Sequence, residues 1–194
     1  MKKRTMALMM AASFFGAAGC SAENVKLQKT ETVPGKVLVA YYSWGGNTRF
    51  AAERIQKLTG GTLFEIKPVK AYPVDYGACV EQAKRECRDE FEPELATKVD
   101  DFSKYDVIFV GTPNWWSTMA PPVRSFLSSY DFSGKTVIPF VTHGGGGMAR
   151  CERDMRKVCP KAAFGKGGAF SGGSIRNAVD ALSKWVNEVV VIRK

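Results

Sequence analysis

Three near-continuous apolar runs constrain the fold most: KVLVAYYS (36–43), YDVIFVGTP (105–113) and KTVIPFVTH (135–143). A strand wetted on one face alternates apolar and polar residues. Runs this uniformly apolar are strands covered on both faces, the condition of a parallel sheet packed between helices. The intervening segments carry helical periodicity. Residues 48–58 place Ala51, Ile55 and Leu58 on one face, and a second helix opens with Asp75 as its cap. PPVRSFLSSY (121–130) begins with prolines where a missing N–H does no harm, and MARCERDMRKVC (148–159) follows four glycines. The last helix, SIRNAVDALSKWVNEVV (174–190), has Ser174 as its expected cap. Its apolar stripe runs through Ile175, Ala178, Val179, Leu182, Trp185, Val186 and Val189. TLFEIKP (62–68) adds a strand, and AAFGKGGAF (162–170) a weak, glycine-broken one. Five βα units predict an α/β fold: an open, doubly wound, five-stranded parallel sheet with helices on both faces, in one domain over residues 36–194.

The N-terminus reads differently. MKKR carries three positive charges, the apolar TMALMMAASFFGAA is short for a membrane span, and AAGC brings small residues up to Cys20. This is the layout of a secretory signal over residues 1–19. A cysteine at the cleavage point resembles a bacterial lipoprotein signal, which implies lipidation of Cys20 and an exported protein anchored by lipid at the cell envelope. Ordinary cleavage, releasing a soluble exported protein, is the competing reading. Residues 21–35, polar and ending in Pro34-Gly35, are expected to be a tether, so that 20–35 form the lipidated N-terminus and its spacer.

The formal net charge is +9, and losing residues 1–19 removes Lys2, Lys3 and Arg4 and no acid, leaving +6. Such an excess suits an anionic surface or acidic partners. No Lys/Arg run with interleaved aromatics appears, so nucleic acid is not an expected partner. Cys79 and Cys87, like Cys151 and Cys159, lie eight residues apart in helical segments, about 12 Å in axial rise and beyond disulfide reach. Small buried hydrophobes are the favoured reading of all four.

In open α/β sheets ligands sit beyond the carboxyl ends of the strands, at the switch point. The unusual loops stand there: SWGGNT, TPNWWSTMAPP and THGGGG. In the first, amides bared by glycine, a helix start, and the hydroxyls of Ser43 and Thr48 form a phosphate nest needing no lysine. No GK[ST] follows, which disfavours triphosphate hydrolysis, and G-x-G-x-x-G is absent. In the second, Trp115 and Trp116 offer faces for a flat ligand, with at least one expected to be structural, and Asn114 suits a heterocycle's polar edge. The third holds the only histidine, His143, read as an edge contact and not a catalyst, and a glycine run that admits a planar ligand closely. One histidine and scattered cysteines give no metal set.

A phosphate at the first loop and a ring between the other two match the shape of flavin mononucleotide (FMN). Residues 36 to about 190 resemble the flavodoxins: Y-x-S-x-x-G-x-T at 41–48, with Ala52 and Ile55, is similar to their phosphate signature. GTPNWWSTMAPPVRSFL and PFVTHGGGGMARCERDMRKVCP resemble a bacterial, often exported branch of flavodoxin-like proteins. The resemblance implies that Ser43, Gly45, Gly46, Asn47 and Thr48 cradle the FMN phosphate, with Trp44 of the same loop also among the cofactor-binding residues. It also implies that Thr112, Pro113, Asn114, Trp115 and Trp116, with Thr142, His143, Gly144, Gly145 and Gly146, flank the ribityl chain and ring. Gly45 replaces a hydroxyl residue of many flavodoxins, and the basic charge departs from the acidic family carriers. The expected function is electron transfer or flavin-dependent reduction, with a redox partner protein or a small-molecule acceptor. A carrier, a reductase of NAD(P)H/quinone type, and a non-enzymatic lipoprotein binding another phosphorylated or aromatic ligand all stand open. A bulky residue at Thr48 is expected to weaken FMN binding and leave the domain folded.

Overall fold

The computed structural model describes residues 29–32 and 35–192. In chain order the elements are β1 (Thr30–Thr32), β2 (Val37–Tyr41), α1 (Asn47–Thr59), β3 (Thr62–Glu65), α2 (Tyr76–Arg88), β4 (Val107–Trp115), β5 (Thr118–Met119), α3 (Pro121–Ser128), β6 (Thr136–His143), α4 (Cys151–Val158), β7 (Ala163–Phe164), β8 (Gly168–Ser171), α5 (Val179–Val189) and β9 (Val190–Ile192). The main sheet is parallel in the order β3-β2-β4-β6, with β7 and β8 together as its fifth strand. This is the expected doubly wound α/β architecture.

The central strands are buried on both faces, as their composition requires. Leu38, Ala40, Ile108 and Val110 face Cys79 of α2, Phe126 and Leu127 of α3 and Met155 of α4. Their alternates Val37, Val39, Val107 and Phe109 face Ala51, Ala52 and Ile55 of α1 and Leu182, Trp185 and Val186 of α5. Gly111 lies inside β4 because Phe140 of β6 crosses it: a Cβ there would stand 2.2 Å from the Phe140 ring.

Several elements differ from expectation. The fifth strand breaks between β7 and β8, where it faces Ile138 and Pro139. A proline has no N–H for a ladder, and the glycines there let the chain bulge. Ser174 does not cap the last helix. Residues 174–178 form tight turns, with Asn177 N–H on the Ser174 carbonyl at 2.9 Å, and α5 begins after Ala178. The fourth helix starts at Cys151 and not at Met148, since the chain turns through 147–150 first. Thr30–Thr32, expected in the tether, pair in parallel with Val190–Ile192, so the N-terminal strand is fastened to the end of the chain. The signal reading for residues 1–19 and the lipidation of Cys20 lie outside the described residues. Asp75 caps α2 as expected, its Oδ1 accepting the Ala78 N–H at 2.8 Å. The four described cysteines are free thiols, three of them buried. Burial pushes Cys87 and Cys151 up to about 12, which makes both poor nucleophiles.

One buried acid ties α4 to the β4–β5 hairpin. Burial alone would raise the Asp154 pKa, but the Thr118 hydroxyl, donating at 2.8 Å, and the nearby Arg153 and Lys157 hold it below the ordinary carboxylate value. Such a group stabilises the fold above the ordinary carboxylate pKa, and its contribution is lost as pH falls through the lowered one. Asp154→Asn is therefore expected to cost about 1–2 kcal/mol at neutral pH. In urea titrations the gap from wild type should narrow as pH falls below the ordinary carboxylate range; a gap that widens in acid would contradict the ion-pair account.

Candidate functional site

The cleft opens at the carboxyl ends of β2, β4 and β6, where the sequence demanded it. Its first chamber, about 320 Å³, is lined by Ser43, Trp44, Gly45, Asn47 and Thr48 from the first loop, by Pro113, Asn114 and Trp115 from the second, and by Thr142, His143 and Gly144 from the third. Eleven of the sixteen residues named from sequence thus meet around one space. Tyr76, Gly172 and Gly173 complete the wall. The glycines follow the fifth strand, and Gly172 N–H donates to the His143 carbonyl at 2.8 Å. Tyr76 opens α2, 72% exposed. An aromatic left in water at a helix start is a signal the sequence carried, though nothing local tied it to this cleft.

The first loop turns sharply into α1. Gly46 stands before the helix at φ 85°, a conformation costly for any residue with a Cβ. Its N–H donates to Ser43 Oγ at 3.1 Å, so that hydroxyl braces the loop from within. Among the described residues the amides of Asn47, Thr48 and Arg49 have no acceptor, and the first turn of α1 holds no carboxylate. These orphan donors and the positive end of the helix favour an anion. No lysine or arginine lines this chamber, and Arg49 is engaged with Glu65. Thr48 is buried, its Oγ1 2.7 Å from Thr142 Oγ1, which joins the first and third loops beneath the cleft.

A second chamber of about 360 Å³ adjoins the first through Trp44, Tyr76, Asn114 and Trp115, and adds Cys79, Val80, Ala83 and Trp116. Trp44 is anchored by its Nε1–H to the Pro73 carbonyl at 3.0 Å, and its ring lies 6.2 Å from Tyr76, centroid to centroid. Trp115 is wedged edge-on against Tyr42 and Tyr72, at 5.6 and 4.9 Å. Tyr72 donates its hydroxyl to Glu86. Burial pushes both phenols above their ordinary pKa, so the two rings that back Trp115 stay protonated.

The remaining named residues play other parts. Thr112 is fully buried and does not face the cleft; its Oγ1 accepts the Ala120 N–H at 2.9 Å and donates to the Pro113 carbonyl. Gly145 N–H donates to His143 Nδ1 at 3.1 Å, which puts the proton of a neutral His143 ring on Nε2. Gly146 packs on Asn114, whose Nδ2 donates to the Gly147 carbonyl at 2.9 Å; neither Gly145 nor Gly146 lines the chambers. Trp116 turns out of the first chamber. With Ser117 it makes the two-residue turn of the β4–β5 hairpin at φ 50° and 68°, a primed turn built without glycine or asparagine and so silent in the sequence.

Comparison with known proteins agrees with this geometry. A protein of Bacteroides uniformis proposed to be a flavoprotein has a solved structure that superposes with a TM-score of 0.70, at 33% identity over 79% of this chain and 98% of its own. A flavoprotein from Lactobacillus acidophilus, solved in complex with FMN, shares the fold with a TM-score of 0.61 at 24% identity, over 77% of this chain and 99% of its own. An NAD(P)H dehydrogenase (quinone) of Cupriavidus metallidurans is 36% identical over 95 residues; they are 47% of this chain and span 45% of that protein's length. Residues 36–189 match the family model described as flavodoxin. With its sheet order, its switch-point cleft and this match over most of its length, the chain belongs to the flavodoxin family.

Proposed function

We propose that the chain binds FMN in the two joined chambers and carries out electron transfer or flavin-dependent reduction at the bacterial cell envelope. The observation that carries this is the pairing of a cation-free anion seat at the start of α1 with an aromatic chamber beside it. A phosphate dianion suits the unpaired amides of Asn47, Thr48 and Arg49. A flat, uncharged ring suits Trp44, Tyr76 and Trp115, with Asn114 and the Nε2–H of His143 as polar contacts at its rim. Bound there, FMN would supply the one- and two-electron redox chemistry of the site. The protein's part is to seat the phosphate and hold the ring between aromatic walls.

Adding FMN to the purified domain should quench its fluorescence and yield a complex that survives gel filtration. Trp44→Ala removes one wall, and stacking of this kind is worth about 0.5–1.5 kcal/mol. FMN affinity should fall roughly tenfold. Trp44 is 38% exposed, so the melting temperature should hold. FMN that stays fluorescent and washes off the wild-type domain would favour the non-enzymatic binder.

The envelope location is supported by residues 1–20, a charged start, an apolar run and a small-residue approach to Cys20. Expressed at full length in a bacterium fed labelled palmitate, the protein should take up label and partition with membranes. Cys20→Ser should do neither. Equal labelling of both would remove the anchor.

A further inference from the structure

A second concavity, about 630 Å³, lies over α2, α3 and α4, outside the cleft. Seven lysines or arginines line it against Glu81, Glu90 and Asp154. Two of those acids are already engaged: Glu90 pairs with Arg124 at 3.2 Å, and Asp154 lies 3.4 Å from Arg153 and 3.6 Å from Lys157. Arg85 on α2 and Arg150 before α4 are exposed, come from separate segments, and have no carboxylate partner among the described residues. Cations gathered in a concavity raise each other's potential, an arrangement that costs stability unless an anion offsets it.

Trp116 is the partition. It lines this basic cavity and also the aromatic chamber of the cleft. The residue is 47% exposed, its Nε1–H donates to the Val80 carbonyl at 3.2 Å, and Lys84 Nζ sits 5.2 Å from its ring centroid. The left-handed turn at Trp116 and Ser117 costs about 1–2 kcal/mol per residue, and what it achieves is to hold one flat ring between the two spaces.

We propose that this cavity binds a small ligand with two or more phosphates and a flat aromatic end, the chemistry of a nicotinamide dinucleotide. Its phosphates lie among Arg85, Arg150, Arg153 and Lys157, and its ring end lies toward Trp116 and the adjoining chamber. The charge is focused in a concavity of small-molecule size and not spread over an open face, which favours a compact polyanion over an acidic protein. That the ring end serves electron supply rests on the FMN reading above; the anion site does not.

Titration calorimetry with inorganic pyrophosphate and with NADPH, on the domain without FMN and saturated with it, tests the site. Both probes should bind both forms, more weakly as salt is raised. The double variant Arg85→Gln/Arg150→Gln should bind both probes at least about tenfold more weakly, with FMN affinity within about twofold of wild type. Both side chains are exposed, so the variant should fold normally. The proposal is overturned if neither probe binds, if the double variant binds them as tightly as wild type, or if poly-glutamate binds and NADPH does not. A domain that ignores FMN yet binds pyrophosphate through Arg85 and Arg150 would sink the FMN reading and sustain this site.

Discussion

Gly111→Ala is expected to destabilise the fold by about 3 kcal/mol, near the top of the range for overpacking a core. The added Cβ would meet three atoms of the Phe140 ring at 2.2 to 2.8 Å. Phe140 is fully buried, in the cluster that holds Phe109, Phe170 and Trp185, so the ring has no free space to enter. For a chain of this size each kcal/mol moves the thermal midpoint by about 2–4 °C, so a calorimetric scan should show a loss of roughly 6–12 °C. The damage should reach the cleft, because Gly111 and Phe140 pair two residues before Pro113 and Thr142, which line it. Adding Phe140→Leu should recover part of the loss. A single variant melting within about 2 °C of wild type would mean the two strands part freely there.

Replacing Thr48 should have the largest effect on FMN binding, and its burial changes what the experiment must compare. A bulky residue at this position was expected to spare the fold. Thr48 is only 1% exposed and bonded to Thr142, so a larger side chain strains the junction of two loops as well as the anion seat. Thr48→Phe should lower FMN affinity by a hundredfold or more and stability by about 2 kcal/mol. Thr48→Val keeps the volume, removes one hydroxyl and leaves that of Thr142 unpaired, at a cost of about 1–2 kcal/mol. If Thr48→Val binds FMN within about tenfold of wild type while Thr48→Phe does not, the position acts by shaping the helix start. Full affinity in both variants would take the first loop out of the site.

What the sequence determined by itself was whatever a short window encodes. The apolar runs of β2, β4 and β6, short, bounded by turn residues and alternating with helical segments, read as strands covered on both sides. Their sequels had to carry the ligand loops, because an open parallel sheet has its crevice only at that end. Asp75 announced its helix, and Ser43 to Thr48 announced a helix start suited to an anion, because caps and glycine turns are local chemistry. Only the tertiary structure decided which side chains face the crevice. Trp115 lines both chambers, whereas Trp116, the first residue of the two-residue hairpin turn, is kept out of the first chamber and reaches only the second. Thr112, one residue before the cleft begins, is spent on the Ala120 amide. Tyr76, Gly172 and Gly173 arrive from segments 26 or more residues from the nearest named loop residue. Arg85 and Arg150 share a cavity only once their segments are packed side by side. Charge, exposure and stacking belong to pairs of residues brought together by the folded chain, and no window of the sequence contains both members.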